Sequence, residues 1–246
     1  MHQALLTTLC LSVALPAAAQ ESATSPAPAA PASATQAPAP TLSQQQILAF
    51  NKAVTDFTAG QQAQQKGDNA GALAKYEAAL PAIRDAVKTQ PDKIDNVNFL
   101  ANALYATAAA NAALQKLDAV APLYEESLPY WRQVVTAKPA DAQSRGVLTG
   151  ILIQVGNFKL GRQDKAGAAP LYAEAIPLAR KSVAEQSNPV NRNLLLAALI
   201  GASQTNADSA LKAEAATMSK AMIADGTVDA ANKPSAEVLA QSAMVG

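Results

Sequence analysis

VAPLYEESLPYWRQVV, residues 120–135, has two gapless counterparts in the same chain: ALAKYEAALPAIRDAV at 72–87 and AAPLYAEAIPLARKSV at 168–183. Tyr76, Tyr124 and Tyr172 are spaced by 48 residues; so are Pro81, Pro129 and Pro177, Arg84, Arg132 and Arg180, and Val87, Val135 and Val183. Four identities held in register across three copies record a duplication, and a fixed period of this kind marks stacked supersecondary units. Within the quoted copy Tyr124, Leu128, Trp131 and Val135 step by 4, 3 and 4, and Tyr76, Leu80, Ile83 and Val87 match them. That spacing predicts an amphipathic helix with its apolar stripe on one side.

Start and stop signals extend the pattern in both directions. Ser43 with Gln46 has the form of a capping box opening a first helix that runs to about Lys66, with Gly67 as terminator. Asp68 caps the next helix, which ends before Pro91. Asp92 opens a helix to about Lys116, and Asp118 opens another that ends before Pro139. Asp141 and Asp164 open the third pair. Asn188 followed by Pro189 reads as an N-cap with proline at the first helical position, and a fourth pair, near 189–206 and 209–225, closes at Gly226. The expectation is an all-α solenoid of about four antiparallel helix pairs over residues 43–226, followed by a C-terminal tail, 227–246, with room for a short helix from Pro234 to about Ala243. Pro81, Pro129 and Pro177 fall inside the second helices, where each removes a backbone hydrogen bond and is expected to kink its helix.

Composition agrees with helices. Half of the 246 residues are hydrophobic, mostly Ala and Leu, while only 4% are aromatic. Abundant Ala with few aromatics argues against a β-sandwich or barrel. Lys+Arg and Asp+Glu are both 19, and a balanced charge argues against nucleic-acid binding, which calls for a basic excess or stripe.

The N-terminus, MHQALLTTLCLSVALPAAAQ, places an apolar run from Ala4 to Leu15 ahead of Pro16 and Ala17-Ala18-Ala19. That is the layout of a secretory signal peptide, residues 1–19, with cleavage expected after Ala19 and a periplasmic or secreted product. The run is too short to span a bilayer. Cleavage removes His2 and Cys10, the only His and the only Cys. The exported chain then lacks the residue types for Ser-His-Asp or Cys-His catalysis, for His or Cys metal ligation and for disulfides. No cofactor or metal is expected. Residues 20–42 form a Pro/Ala-rich linker that cannot build a core and is expected to be an extended spacer.

The repeat resembles the tetratricopeptide repeat (TPR), most closely the long-repeat form of kinesin-light-chain-like TPRs. Gly60, Ala108 and Gly156 match its small residue late in the first helix. Ala72, Val120 and Ala168, then the three tyrosines, then Ala79, Ser127 and Ala175 match its small–aromatic–small series in the second. The usual period is about 34 residues, so here each helix is longer by about two turns, which keeps the apolar stripe in phase. The resemblance implies that first helices line a concave groove. Phe57, Gln61 and Gln64 would face it in the first repeat, Asn98, Asn102 and Tyr105 in the second, and Ile153 and Asn157 in the third. This surface is amide-rich and nearly uncharged, suited to pairing with a peptide backbone. The Lys/Arg set that grips acidic C-termini in some TPR domains is absent from it.

Two readings of the repeated arginines stay open: a row of cations for an anionic ligand, or side chains that snorkel or bridge to the next helix. Tyr76, Pro81, Arg84 and Val87 and their equivalents are expected to be structural. Glu125, Glu126 and Glu174 are the candidates for carboxylate acid–base chemistry. The leading expectation is an exported, non-catalytic scaffold that binds a protein or peptide partner in the cell envelope, with no nucleic acid and no transmembrane segment involved. A self-assembling structural protein and a carboxylate-dependent enzyme of cell-wall glycan are the alternatives. Sequence leaves the oligomeric state open.

Overall fold

The computed structural model describes residues 40–205 and 208–242. The segment expected to be a signal peptide, and the part of the expected spacer before Pro40, lie outside the described residues. Among those described there are nine helices and no strand: α1 (Gln44–Gln65), α2 (Asn69–Thr89), α3 (Ile94–Ala113), α4 (Leu117–Ala137), α5 (Ala142–Gly161), α6 (Lys165–Glu185), α7 (Pro189–Thr205), α8 (Ser209–Ala224) and α9 (Lys233–Ser242). Each packs on its neighbour in the chain, and α5 also meets α7, so the protein is an all-α solenoid. The bonds at the ends of a pair show its antiparallel sense. At one end Gln46 Nε2 donates to Asp85 Oδ2 and Thr89 Oγ1, both at 2.9 Å. At the other, the Tyr76 hydroxyl donates to Gln64 Oε1 at 2.8 Å.

The caps explain why the pairs repeat. Ser43 and Gln46 form the reciprocal capping box that opens α1. The first helices of the three long pairs end alike, in a residue with φ of 79° at Gly67, 59° at Gln115 and 63° at Gln163, and α8 ends at Gly226 with 66°. In each case the next amide reaches back five residues: Asp68 N to Ala63 O, Lys116 N to Asn111 O, Asp164 N to Lys159 O and Thr227 N to Met222 O. This is the Schellman closure, which satisfies the last carbonyls and turns the chain for the next helix. Glutamine is a costly choice for a left-handed position, where an L side chain crowds the carbonyl by about 1–2 kcal/mol. Gln115→Gly and Gln163→Gly are therefore expected to raise the unfolding free energy by about 0.5–1 kcal/mol each, after the greater entropy of unfolded glycine is set against that relief. Urea unfolding followed by circular dichroism measures it; unchanged midpoints would mean the glutamines are unstrained.

Two helix starts differ from expectation. Asp68 and Asp164 cap α2 and α6 as expected, but the register-equivalent residue in the second repeat is Lys116, which makes no side-chain cap. Asp118 lies in the first turn of α4 instead, where its charge favours the helix N-terminus. The Schellman turn fixes where α4 begins, so the helix starts in register without its cap. Likewise α3 begins after Lys93, with Asp95 rather than Asp92 in its first turn.

Pro81, Pro129 and Pro177 lie within α2, α4 and α6, which run on through them, and all three face solvent. Exposure makes them tolerable, because water can take the carbonyl left without a donor one turn earlier.

The core sits between first and second helices. Tyr76, Tyr172 and the small residues beside them, Ala72, Ala79, Ala168 and Ala175, are wholly buried. The tyrosines fit because the first helix offers no side chain there. A Cβ on Gly60 would lie 2.6 Å from the Tyr76 ring, and one on Gly156 would lie 2.7 Å from that of Tyr172. Phe57 meets Tyr76 and Phe99 with ring centroids 5.2 Å away in each case, joining the first repeat to the second.

Residues 227–242, expected as a tail, are folded onto the last pair. Ala236, Leu239 and Ala240 of α9 are buried, and α9 packs on α8. The buried Asn193 of α7 donates to Thr227 O at 2.8 Å and accepts from Asp229 N at 2.9 Å, which pins the connecting turn. A solenoid end exposes apolar surface unless something covers it, and α9 does so here.

Candidate functional site

The repeated arginines are engaged within the fold. Arg84 Nε and Nη2 donate to the two carboxylate oxygens of Glu126 at 2.7 and 2.8 Å. Arg132 grips Glu174 in the same fork at 2.8 and 2.7 Å, and Arg180 pairs with Glu214 on α8. Each rung joins one second helix to the next, 42 residues on in the first two cases. The bridging reading of the arginines holds. Such half-exposed pairs contribute roughly 0–1 kcal/mol each; their bidentate geometry sets direction more than stability. Hydrogen bonding to Glu126 and Glu174 also holds the Arg84 and Arg132 guanidinium pKa values up.

The same rungs occupy the carboxylates considered for acid–base work. Glu126 and Glu174 each face an arginine, and Glu125 approaches Lys159 Nζ at 3.5 Å. Among the described residues no group of three or more His, Cys, Asp or Glu is placed to hold a metal ion, and no helix is long and apolar enough to cross a membrane.

The eight groove candidates fall into three groups. Phe57 and Ile153 are buried in the core, and Asn102 is only 7% exposed. Its Nδ2 donates to the Asn98 carbonyl and to Asn98 Oδ1, at 2.8 and 3.0 Å, so its amide is spent within α3. Gln64 and Asn157 accept the hydroxyls of Tyr76 and Tyr172, Asn157 at 2.7 Å while staying exposed. Tyr105 stacks beside Tyr124 at a centroid distance of 5.9 Å. Gln61, Asn98 and Tyr105 are left partly open on the first-helix face.

That face has a feature of which the candidates included only Asn157. In α5, Gly146, Gly150, Gln154 and Asn157 step by 4, 4 and 3 and are all at least partly exposed. A Cβ built on Gly146 or Gly150 would meet nothing within 4 Å. Glycine inside a helix costs about 1 kcal/mol against alanine, and no neighbour in the chain requires it at these two positions. The spacing Gly-x-x-x-Gly was visible in the sequence; what was not visible is that the space over it is open.

A scan against family models finds no match for this chain, and a comparison with curated proteins finds none either. The reading of the site rests on its own geometry.

Burial pushes the Tyr76 hydroxyl pKa up to about 12 and shifts those of Tyr105, Tyr124 and Tyr172 upward too. The folded state then keeps these protons after an unfolded chain, with a tyrosine pKa of about 10, has lost them. Their contribution to stability is full below pH ~10 and falls as pH rises through the folded values. In an alkaline titration the phenolate absorbance of these four is expected to appear together with loss of helicity. Phenolate formation by all of them at pH 10 with helicity intact would contradict the buried placement.

Proposed function

We propose that this chain is an exported, non-catalytic scaffold of TPR-like type that binds a protein or peptide segment in the cell envelope. The observation that carries the reading is the open glycine pair of α5. Gly146 and Gly150 leave backbone uncovered on the first-helix face, beside Gln154 and Asn157. A partner backbone can approach such a surface closely, and amides can pair with it without a particular charge. The signal-like N-terminus and the loss of His2 and Cys10 on cleavage support export and a non-catalytic role. The engagement of Glu126 and Glu174 by arginines supports the same role, since it leaves neither free as an acid or base. Cover by α9 disfavours growth by end-to-end stacking at that end.

The test uses opposite signs. Gly146→Ala with Gly150→Ala is expected to stabilise the helix by about 1–2 kcal/mol in total, since both methyls enter open space. The same change is expected to reduce adduct formation by a photo-crosslinking residue placed at Gln154 in cells that export the chain. A stabilised variant with undiminished adducts would remove α5 from the binding surface. Intact mass of the exported chain, starting at or near Gln20, tests the processing; retention of Cys10 would overturn it.

A further inference from the structure

A cleft of about 710 Å³ opens at the loop edge of the third and fourth pairs, lined among others by Gln143, Arg145, Glu185, Gln186, Val190 and Asn191. Its volume is in the range of ligand sites. Arg145 is 1% exposed and is the largest charged residue buried in the described chain. Its Nε donates to Ser182 Oγ at 3.1 Å, its Nη1 lies 3.4 Å from Pro139 O, and its Nη2 pairs with Glu185.

The repeat does not require an arginine there. One period earlier the equivalent residue is Val97, fully buried and packed in the core. The equivalents of Glu185 are Ala137 and Thr89. The Arg145–Glu185 pair is therefore private to the third repeat, and it coincides with the cleft. The pair is also lopsided: the arginine side chain is 2% exposed, whereas that of Glu185, the last residue of α6, is 46% exposed. Burying a guanidinium is costly unless an anion stays on it. Returning a half-exposed glutamate to water is not. Val190 adds an exposed apolar side chain, and the Gln143 and Gln186 amides make no side-chain hydrogen bond, so both remain available to a peptide backbone.

We propose that this cleft binds an acidic peptide, whose carboxylate takes the place of Glu185 on Arg145. Glu185 is then an internal occupant of the seat, and the free protein is held with its arginine neutralised until a ligand carboxylate replaces it. The peptide as occupant rests on the scaffold reading above; the carboxylate seat does not.

Thermal melts of the full-length mature chain separate the two. Glu185→Ala leaves Arg145 without its anion and is expected to melt lower than the parent. Sodium acetate, compared with sodium chloride at equal ionic strength, is expected to restore the melting temperature of Glu185→Ala. It is not expected to do so for Arg145→Val with Glu185→Ala, which copies the packed Val97 and serves as the folded control. Absence of acetate rescue in Glu185→Ala overturns the seat. A labelled hexapeptide rich in Asp and Glu then tests the occupant by anisotropy. It is expected to bind the parent, to bind Glu185→Ala roughly tenfold or more tightly because the competing carboxylate is gone, and to lose binding with Arg145→Val or when its acids are changed to amides. Acetate rescue without peptide binding by Glu185→Ala overturns the peptide as occupant and leaves the scaffold reading of α5 to its own test.

Discussion

Tyr172→Ala is expected to lower the unfolding free energy by about 3–5 kcal/mol, the range for deleting a buried aromatic side chain. The ring has no exposed surface and lies against two glycines from two helices: a Cβ on Gly156 would come within 2.7 Å of it, and one on Gly201 within 2.1 Å. One side chain thus holds α5, α6 and α7 together, and its removal opens a cavity that three helices share. The hydroxyl is a small part of this. Tyr172→Phe loses the bond to Asn157 and should cost about 1 kcal/mol. Gly201→Ala supplies the discriminating result. In the parent its methyl collides with the ring and should destabilise by about 1–3 kcal/mol. In the Tyr172→Ala background the obstacle is gone and alanine is the better helix former, so the same change should be neutral or stabilising. A double-mutant cycle by urea unfolding reads the reversal of sign. Additive effects would show that ring and glycine do not share the space assigned to them.

The way the tyrosines are seated also explains which parts of the molecule were readable beforehand. Tyr76, Tyr124 and Tyr172 stand at one register, and their helical spacing with Leu80, Leu128 and Ile176 was enough to locate the second helices. Glycine opposite Tyr76 and Tyr172 followed from the same period. Tyr124 differs: Ala108 stands where Gly60 and Gly156 do, and Ile153 where Gly201 does. The partners of the arginines were not readable from helical period alone, because Glu126 and Glu174 lie 42 residues away on another helix. The regular offset was present in the sequence, yet spacing cannot distinguish a rung from an empty seat for an anion.

The groove residues were the least legible. Assigning one face of each first helix to a groove works for a helix with a single neighbour. Here α3 and α5 each lie between two second helices. Packing from both sides leaves only a narrow open stripe, so Ile153, one position off it, is covered; Asn102 shares the register of Gly150 on the stripe, yet it is buried and turns its amide back onto Asn98. Gly146 and Gly150 lie on the stripe. Arg145 was passed over for a related reason: an arginine in a helix is ordinarily a surface residue, and only its register with Val97 marks it as inward.

Asn193→Leu is expected to release α9. The Asn193 side chain donates to Pro189 O and Thr227 O at 2.9 and 2.8 Å and accepts from Asp229 N at 2.9 Å. Asn232 Nδ2 adds a bond to the Asn193 carbonyl at 3.0 Å. Leucine keeps the branched shape and the backbone carbonyl that Asn232 meets but makes none of the side-chain bonds, so Thr227 O and Asp229 N lose their partner at once. A buried group left unpaired costs about 1–3 kcal/mol, and two of them put the loss at about 2–6 kcal/mol. The turn from 227 to 232 has no helical ladder of its own to fall back on, so the loss should be local. Because each repeat unit contacts mainly its neighbours, the damage should not spread far along the stack. Amide hydrogen exchange is expected to show α9 and the end of α8 losing protection, with α1 to α6 unchanged. Full protection of α9 in Asn193→Leu would mean that Ala236, Leu239 and Ala240 hold the helix by apolar contact alone. Loss of protection throughout would mean that α9 is needed by the whole solenoid and does more than cover its last pair.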